Sequence, residues 1–195
     1  SPLRSIDGFS NALLEDCADK LDEQGKDYLA RIRRATQNMG HLIDDLLNLS
    51  RVSQSELSPQ TFDLSAMVRE IAQANQQKNP LDHLVLEIQD SVLVRADQHL
   101  MSVVMTNLLD NAWKFSGKTD HPRIAFGARS ENGETAIFVR DNGAGFNMAY
   151  AGKLFSAFSR LHRTDEFPGT GIGLATISRI ISRHGGRVWA QGEVG

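Results

Sequence analysis

Apolar residues recur every three or four positions at the start of the chain, where Leu3, Ile6, Phe9, Leu13 and Cys17 share one face of a helix expected over residues 3–17. A second stripe follows a polar gap: Leu29, Ile32, Met39, Leu42, Ile43, Leu46 and Leu49, with Arg, Asp and Asn between them. It predicts a helix over residues 24–53, and its mean spacing of about 3.5 residues lets helices pack along their whole length. Residues 18–25 between the helices are few and polar, so the pair reads as an antiparallel hairpin. Two helices make only a thin core. Two such hairpins side by side make a four-helix bundle, so a homodimer through residues 1–54 is the expected assembly.

The pattern changes at "SQSELSPQ", residues 53–60. Pro59 cannot continue a helix and its neighbours are polar, so a boundary is expected near Leu57, dividing the chain into units 1–56 and 57–195. A helix over 65–77 buries Met67, Val68, Ile71 and Ala74 and takes its N-cap from Asp63 or Ser65. Strands are expected at 84–88 and 92–95, after which Asp97 caps a strongly apolar helix reaching about Phe115. Two further strands, 124–129 and 135–140, flank "SENGE", whose Asn132-Gly133 pair is a hairpin turn signal. Residues 146–168 carry few regular features. A last helix starts at Gly173, buries Ile177, Ile180 and Ile181 and stops at Gly185 and Gly186, with a strand at 187–191 after it. The second unit is therefore α+β with antiparallel strand pairing.

Composition narrows the function. A chain of 195 residues, 41% hydrophobic and 23% charged, is ordinary globular material. Its net charge of −3 offers no general attraction for nucleic acid. The lone Cys17 cannot form an internal disulfide, and the longest apolar runs, such as 100–105, fall far short of a membrane span. The expectation is a cytoplasmic piece with no membrane contact of its own. Because it opens "SPLRS", with neither an initiator Met nor a signal segment, it is expected to be part of a larger protein, itself soluble or membrane-anchored.

Three segments carry candidate chemistry. "FPGTGIGLA", residues 167–175, leads glycines into a helix whose first N–H groups can receive an anion. It is no dinucleotide fingerprint, since the sixth position after Gly169 and Gly171 is Leu174 and no strand precedes it. "AWKFSGKT", residues 112–119, fails as a Walker A loop because its first glycine is Ala112 and a helix precedes it. "NLLDNAWKF", residues 107–115, puts Asn107, Asn111 and Lys114 on one side of a helix; amide oxygens suit Mg²⁺ and the ammonium suits a phosphate oxygen. "DNGAGF", residues 141–146, ends a strand with Asp141, whose carboxylate can accept from an exocyclic amine while the glycines let backbone approach a flat ring.

Together these segments resemble the ATP-binding domain of sensor histidine kinases, within the superfamily that includes gyrase-type and mismatch-repair ATPases. "NLLDNAWKFS" resembles the N box, "DNGAGF" the first G box, "LFSAFSRLH" the F box and "GTGIGLA" the second G box. "PLRSIDGFSNALLED" and "HLIDDLLNLSR" resemble the dimerisation and histidine-phosphotransfer hairpin, so the likeness covers essentially the whole chain. The wording of residues 166–195 is most similar to phytochrome-type and PAS-linked light-sensing kinases.

The resemblance implies an α+β protein: a helical hairpin, then an α/β sandwich of the histidine kinase/gyrase type that lacks its last strand. It implies ATP and Mg²⁺ as ligands, with Asn111 on the metal, Asn107 supporting metal or phosphates, and Lys114 on the phosphates. Asp141 would accept from the adenine amine, Gly143 and Gly145 would shape the base pocket, and Phe115 would lie against the nucleotide. Gly169, Thr170, Gly171, Ile172, Gly173 and Leu174 would wrap the triphosphate, with Arg160 or Arg163 reaching the γ-phosphate. The γ-phosphoryl group would pass to a histidine and on to an aspartate of a response-regulator receiver domain, under an upstream sensor domain. The family's acceptor histidine stands four residues before the position of Ser1; none of His41, His83, His99, His121, His162 and His184 has its context. A gyrase-type hydrolysing switch would need a glutamate where Asn107 stands, and an amide is no general base. A nucleotide-binding dimerisation module without catalysis is the remaining alternative.

Overall fold

The computed structural model describes residues 2–194 apart from Ser55, Asn132, residues 163–165 and Pro168, with the side chains of Asn48 and residues 51–54 also outside the description. The chain divides into two compact units, Ser1–Ser50 and Arg51–Gly195.

The first unit is a hairpin of α1 (Pro2–Asp16) and the first part of α2 (Glu23–Gln54), joined by a 3₁₀ turn at Ala18–Lys20. Asp22 caps α2, its Oδ1 accepting from Gly25 N at 2.7 Å. One carboxylate ties the two helices together: Asp7 Oδ1 accepts from Arg33 Nε and Gln37 Nε2, both at 3.2 Å. Among the described residues of this unit the buried ones are Ser10 and Thr36, both polar. The predicted apolar stripe instead faces outward, with Phe9 74%, Leu13 45% and Ile43 48% exposed. No described helix is long and apolar enough to cross a membrane.

The second unit sets two small sheets against three helices. β1 (Pro59–Asp63) pairs antiparallel with β3 (Leu93–Asp97) in register Pro59↔Asp97 to Asp63↔Leu93. β2 (Val85–Ile88), β4 (Arg123–Glu131) and β5 (Glu134–Asp141) form the second sheet in the order β2-β4-β5. The helices are α3 (Leu64–Lys78), α4 (Gln98–Ser116) and α5 (Gly173–Arg183). Leu64 and Val68 of α3, Val104 and Leu109 of α4, Ile124 of β4 and Ile177 and Ile180 of α5 are at most 1% exposed and form one core. Asp63 caps α3 through Ser65 N at 2.9 Å, and Asp97 caps α4 through Leu100 N at 3.0 Å. Ser58 N also donates to Asp97 Oδ2, and these N–H groups, led by that of Leu100, hold the Asp97 carboxyl below its usual range against the opposing effect of burial. His184 closes α5 onto this cap: Asp97 N donates to His184 Nε2 at 3.0 Å, while Nδ1 bonds Ile180 O at 2.8 Å.

Four expectations need correction. Ala74, expected in the buried stripe of α3, is exposed, and Ala72 is the alanine that the helix buries. β1 carries a single large apolar residue, Phe62, so its sequence announces no strand; its backbone is recruited by β3, and Pro59 is tolerated at its first position. β2 and β4 run parallel, Val85↔Arg123 to Ile88↔Phe126, because β3 and α4 intervene as a crossover; alternation of apolar residues is blind to strand direction. Residues 187–191 form no strand; Arg187 Nη2 reaches Glu134 Oε2 at 2.9 Å from an irregular segment. The predicted β4–β5 hairpin forms and pairs out to Glu131↔Glu134, and Asn132 of its turn lies outside the described residues.

Candidate functional site

The last turns of α4 gather the first group of residues. Lys114 Nζ donates to Asn111 Oδ1 at 3.0 Å and lies 4.4 Å from the centre of the Phe115 ring. A Cβ built on Gly169 would stand 3.5 Å from the same nitrogen, so the end of α4 meets the second glycine run here. Burial lowers the Lys114 ammonium below the usual lysine range, the Arg160 charge pushes the same way, and Asp110 opposes both. A half-buried ammonium beside another cation is a place that an anion stabilises.

Asn107 is occupied differently. Its Nδ2 donates to Val103 O at 2.8 Å, and its Oδ1 sits where any Cβ on Gly173 would collide with it. Asn107 thereby seats the start of α5 against α4. Ile172, the residue before α5, offers that helix no side-chain cap.

β5 delivers the next group. Asp141 ends the strand, and its Oδ1 accepts from Gly143 N at 3.0 Å. Although the residue as a whole is exposed, surrounding atoms withdraw water from its carboxyl and raise it above the usual carboxylate range, against the pull of the Gly143 N–H. Gly143 backs directly onto α4, where a Cβ would lie 2.5 Å from the Phe115 carbonyl carbon and oxygen; only glycine permits that approach. Ala144 N continues the contact, donating to Phe115 O at 3.3 Å.

The second glycine run is held by its neighbours. Gly171 has a φ of 75°, and its carbonyl accepts from Phe158 N at 3.0 Å. Arg160 donates from Nη1 to Gly169 O and from Nη2 to Phe167 O, the latter at 2.6 Å. Its guanidinium thus grips this run's own backbone. Thr170 Oγ1 accepts from Ile172 N at 3.4 Å. Ile172 is fully buried and Leu174 packs partly buried against the core, so these two offer a ligand backbone rather than side chain. Arg163 lies outside the described residues.

The structure therefore brings Asn111, Lys114, Phe115, Gly143 and Gly169 to the end of α4, and hangs Asp141 on the turn that touches it. It also adds residues that the motif reading passed over. His162 Nε2 bonds Gly145 O at 2.9 Å, and the rings of Phe115, His162 and Phe167 form a triangle with centroids 5.0–5.3 Å apart. The aromatic character of Phe167 was visible in the chain; its meeting with residues about fifty positions away at the end of α4 was not.

Comparison with known proteins gives this geometry a family. Residues 96–195 match the family described as histidine kinase-, DNA gyrase B- and HSP90-like ATPase, and residues 1–55 match the His Kinase A (phospho-acceptor) domain. The methanogenesis regulatory histidine kinase FilI of Methanothrix harundinacea (strain 6Ac) is 38% identical over 196 residues, covering all of this chain and 22% of the relative. Cyanobacterial phytochrome B of Nostoc sp. (strain PCC 7120 / SAG 25.82 / UTEX 2576) is 32% identical over 207 residues, covering all of this chain and 26% of the relative. Among solved structures, full-length ShkA in complex with AMPPNP is 25% identical, with a TM-score of 0.65, covering all of this chain and 41% of that one. The chain belongs to the histidine kinase-, DNA gyrase B- and HSP90-like ATPase family and, within it, to the sensor histidine kinases with phytochrome-type relatives. It spans 22–26% of the length of these curated relatives.

Proposed function

We propose that this chain is the catalytic core of a two-component sensor kinase, in which unit 57–195 binds Mg-ATP and unit 1–56 forms the dimer, the phosphoacceptor histidine lying upstream of Ser1. The observation that carries the reading is the Lys114 ammonium, held beside the Asn111 amide and Gly169 with Arg160 as its cationic neighbour. That donor set fits a polyphosphate. Lys114 and the backbone from Gly169 to Gly173 would bind it, and the Asn111 carbonyl would serve Mg²⁺ with phosphate oxygens and water as the other ligands. Asp141 would take the adenine amine, with Gly143 and Gly145 shaping the base pocket and Phe115 beside it. In-line transfer of the γ-phosphoryl group needs positioning and charge neutralisation more than covalent chemistry, and these residues supply both.

The neutral acceptor nitrogen attacks the γ-phosphorus, ADP leaves, and the phosphoryl group passes to an aspartate of a response regulator. The exposed apolar stripe of the hairpin, with polar Ser10 and Thr36 as its only described buried residues, supports homodimerisation through residues 1–54. An upstream sensor domain and a cytoplasmic setting complete the reading. Hydrolysis as the main activity is disfavoured because Asn107 is engaged with Val103 and Gly173 and has no basic function.

The test is radiolabelled ATP on the chain extended upstream through its next histidines. An acid-labile, base-stable phosphoprotein is expected, abolished by Asn111→Asp. A folded dimer that binds ATP and never labels would overturn the kinase reading; unchanged labelling of Asn111→Asp would remove Asn111 from the site.

A further inference from the structure

His162 belongs to none of the roles assigned so far, yet it touches three separate walls of the site. Its Nε2 is 2.9 Å from Gly145 O in the turn after β5. A carbonyl only accepts, so Nε2 carries the proton. Its ring centroid is 5.3 Å from that of Phe115 at the end of α4 and 5.2 Å from that of Phe167, just before Gly169. Phe115 and Phe167 close the triangle at 5.0 Å, edge to face. These three rings stand apart from the main hydrophobic core of α3, α4, β4 and α5. Phe167 in turn holds Arg160 through its carbonyl, and Arg160 holds Gly169.

We infer that His162 is a positioning residue for nucleotide binding: it ties the first glycine turn to the segment carrying the second glycine run and sets the separation of the pocket's walls. The inference rests on the proposed ATP site. The imidazole supplies two things at once, a donor aimed at Gly145 and a flat ring between two phenyl groups. Without it the two glycine segments lose this direct tie and keep their contacts to α4, and a nucleotide must order them further as it binds, which lowers its affinity without unfolding the core.

The experiment is calorimetric titration of the 195-residue chain with Mg-AMPPNP, alongside a thermal melt, for the parent and for His162→Ala, His162→Phe and His162→Gln. Loss of one hydrogen bond and its ring contacts should weaken binding about tenfold in His162→Ala. His162→Phe keeps a ring and His162→Gln keeps an N–H of similar reach, so each should recover part of that loss, and the melting temperature should barely move. If the alanine variant folds poorly, the phenylalanine and glutamine variants still separate the two contributions. His162→Ala binding within about twofold of the parent would overturn the inference. So would tighter binding, which would mean that the rings stand in the ligand's place, or phenylalanine and glutamine variants no better than alanine. A parent chain that does not bind AMPPNP would instead sink the ATP-site reading itself.

Discussion

The hairpin and the α/β unit spend their apolar residues in opposite ways. In the α/β unit, Leu64, Val68, Leu109, Ile124, Ile177 and Ile180 are at most 1% exposed, and both long helices there start from a bonded aspartate cap. In the hairpin, Phe9, Leu13, Tyr28, Ile32, Met39, Ile43, Leu46 and Leu47 are each more than 40% exposed, and Ser10 and Thr36 are the described residues it buries. One unit holds a complete core within itself. The other has a helix-forming pattern whose apolar stripe no described residue of the same unit buries, a face suited to a second surface.

The largest effect that would sharpen this contrast is in the complete core. Leu109→Ala removes a fully buried side chain from the middle of α4 and should cost about 2–5 kcal/mol in urea unfolding of the α/β unit. A loss well below that would mean the core is looser than its burial indicates.

The matching change in the hairpin is Ile43→Asp, on a side chain 48% exposed in the single chain. If the stripe is covered by a second hairpin, burying that carboxylate costs several kcal/mol, on the order of the penalty for an unpaired ion. Sedimentation should then shift from dimer to monomer while the melt of the α/β unit stays in place. An unchanged dimer would break the comparison, because the stripe would not be the covered face.

A smaller effect is expected at Asp97, the cap shared by Leu100 N and Ser58 N. Asp97→Ala should cost about 1 kcal/mol at neutral pH. Because its folded-state carboxyl is held below the usual range, its contribution is present above that range and is lost as pH falls through the lowered value. The alanine variant should therefore lose part of the acid-side slope in stability that the parent shows.

The smallest stability effect, and the sharpest split between fold and site, is expected at Asp141. Its carboxyl is raised by burial, so the protonated form is the one the fold favours, and its contribution to stability declines as pH rises through the raised value. Asp141→Asn should leave the melt at neutral pH unchanged or slightly higher while abolishing detectable ATP binding. In the parent, ATP affinity should fall on acidification before ordinary carboxylates titrate. A strongly destabilised Asp141→Asn variant would show that Asp141 serves the fold rather than the ligand.

Much of this protein was legible without coordinates. The stripes at 3–17 and 24–53 announced α1 and α2, Asp63 or Ser65 and Asp97 announced the starts of α3 and α4, and the intervals of 107, 111 and 114 put three polar groups along one helix. These are local properties: helical period, capping and turn chemistry act over a few residues and leave a mark in the chain. The sequence also determined the chemical kinds available to the site, amide, ammonium, carboxylate and glycine backbone. Tertiary structure decided what depends on distant partners. It recruited the weakly patterned β1 through β3, ran β2 parallel to β4, and left residues 187–191 out of the sheets. It turned Asn107 toward Gly173 and closed Arg160 on the carbonyls of Phe167 and Gly169. It also set His162 between Phe115, Phe167 and Gly145. Strand direction and the choice of partner for a side chain arise from packing across segments tens of residues apart, and no short window of sequence holds that information.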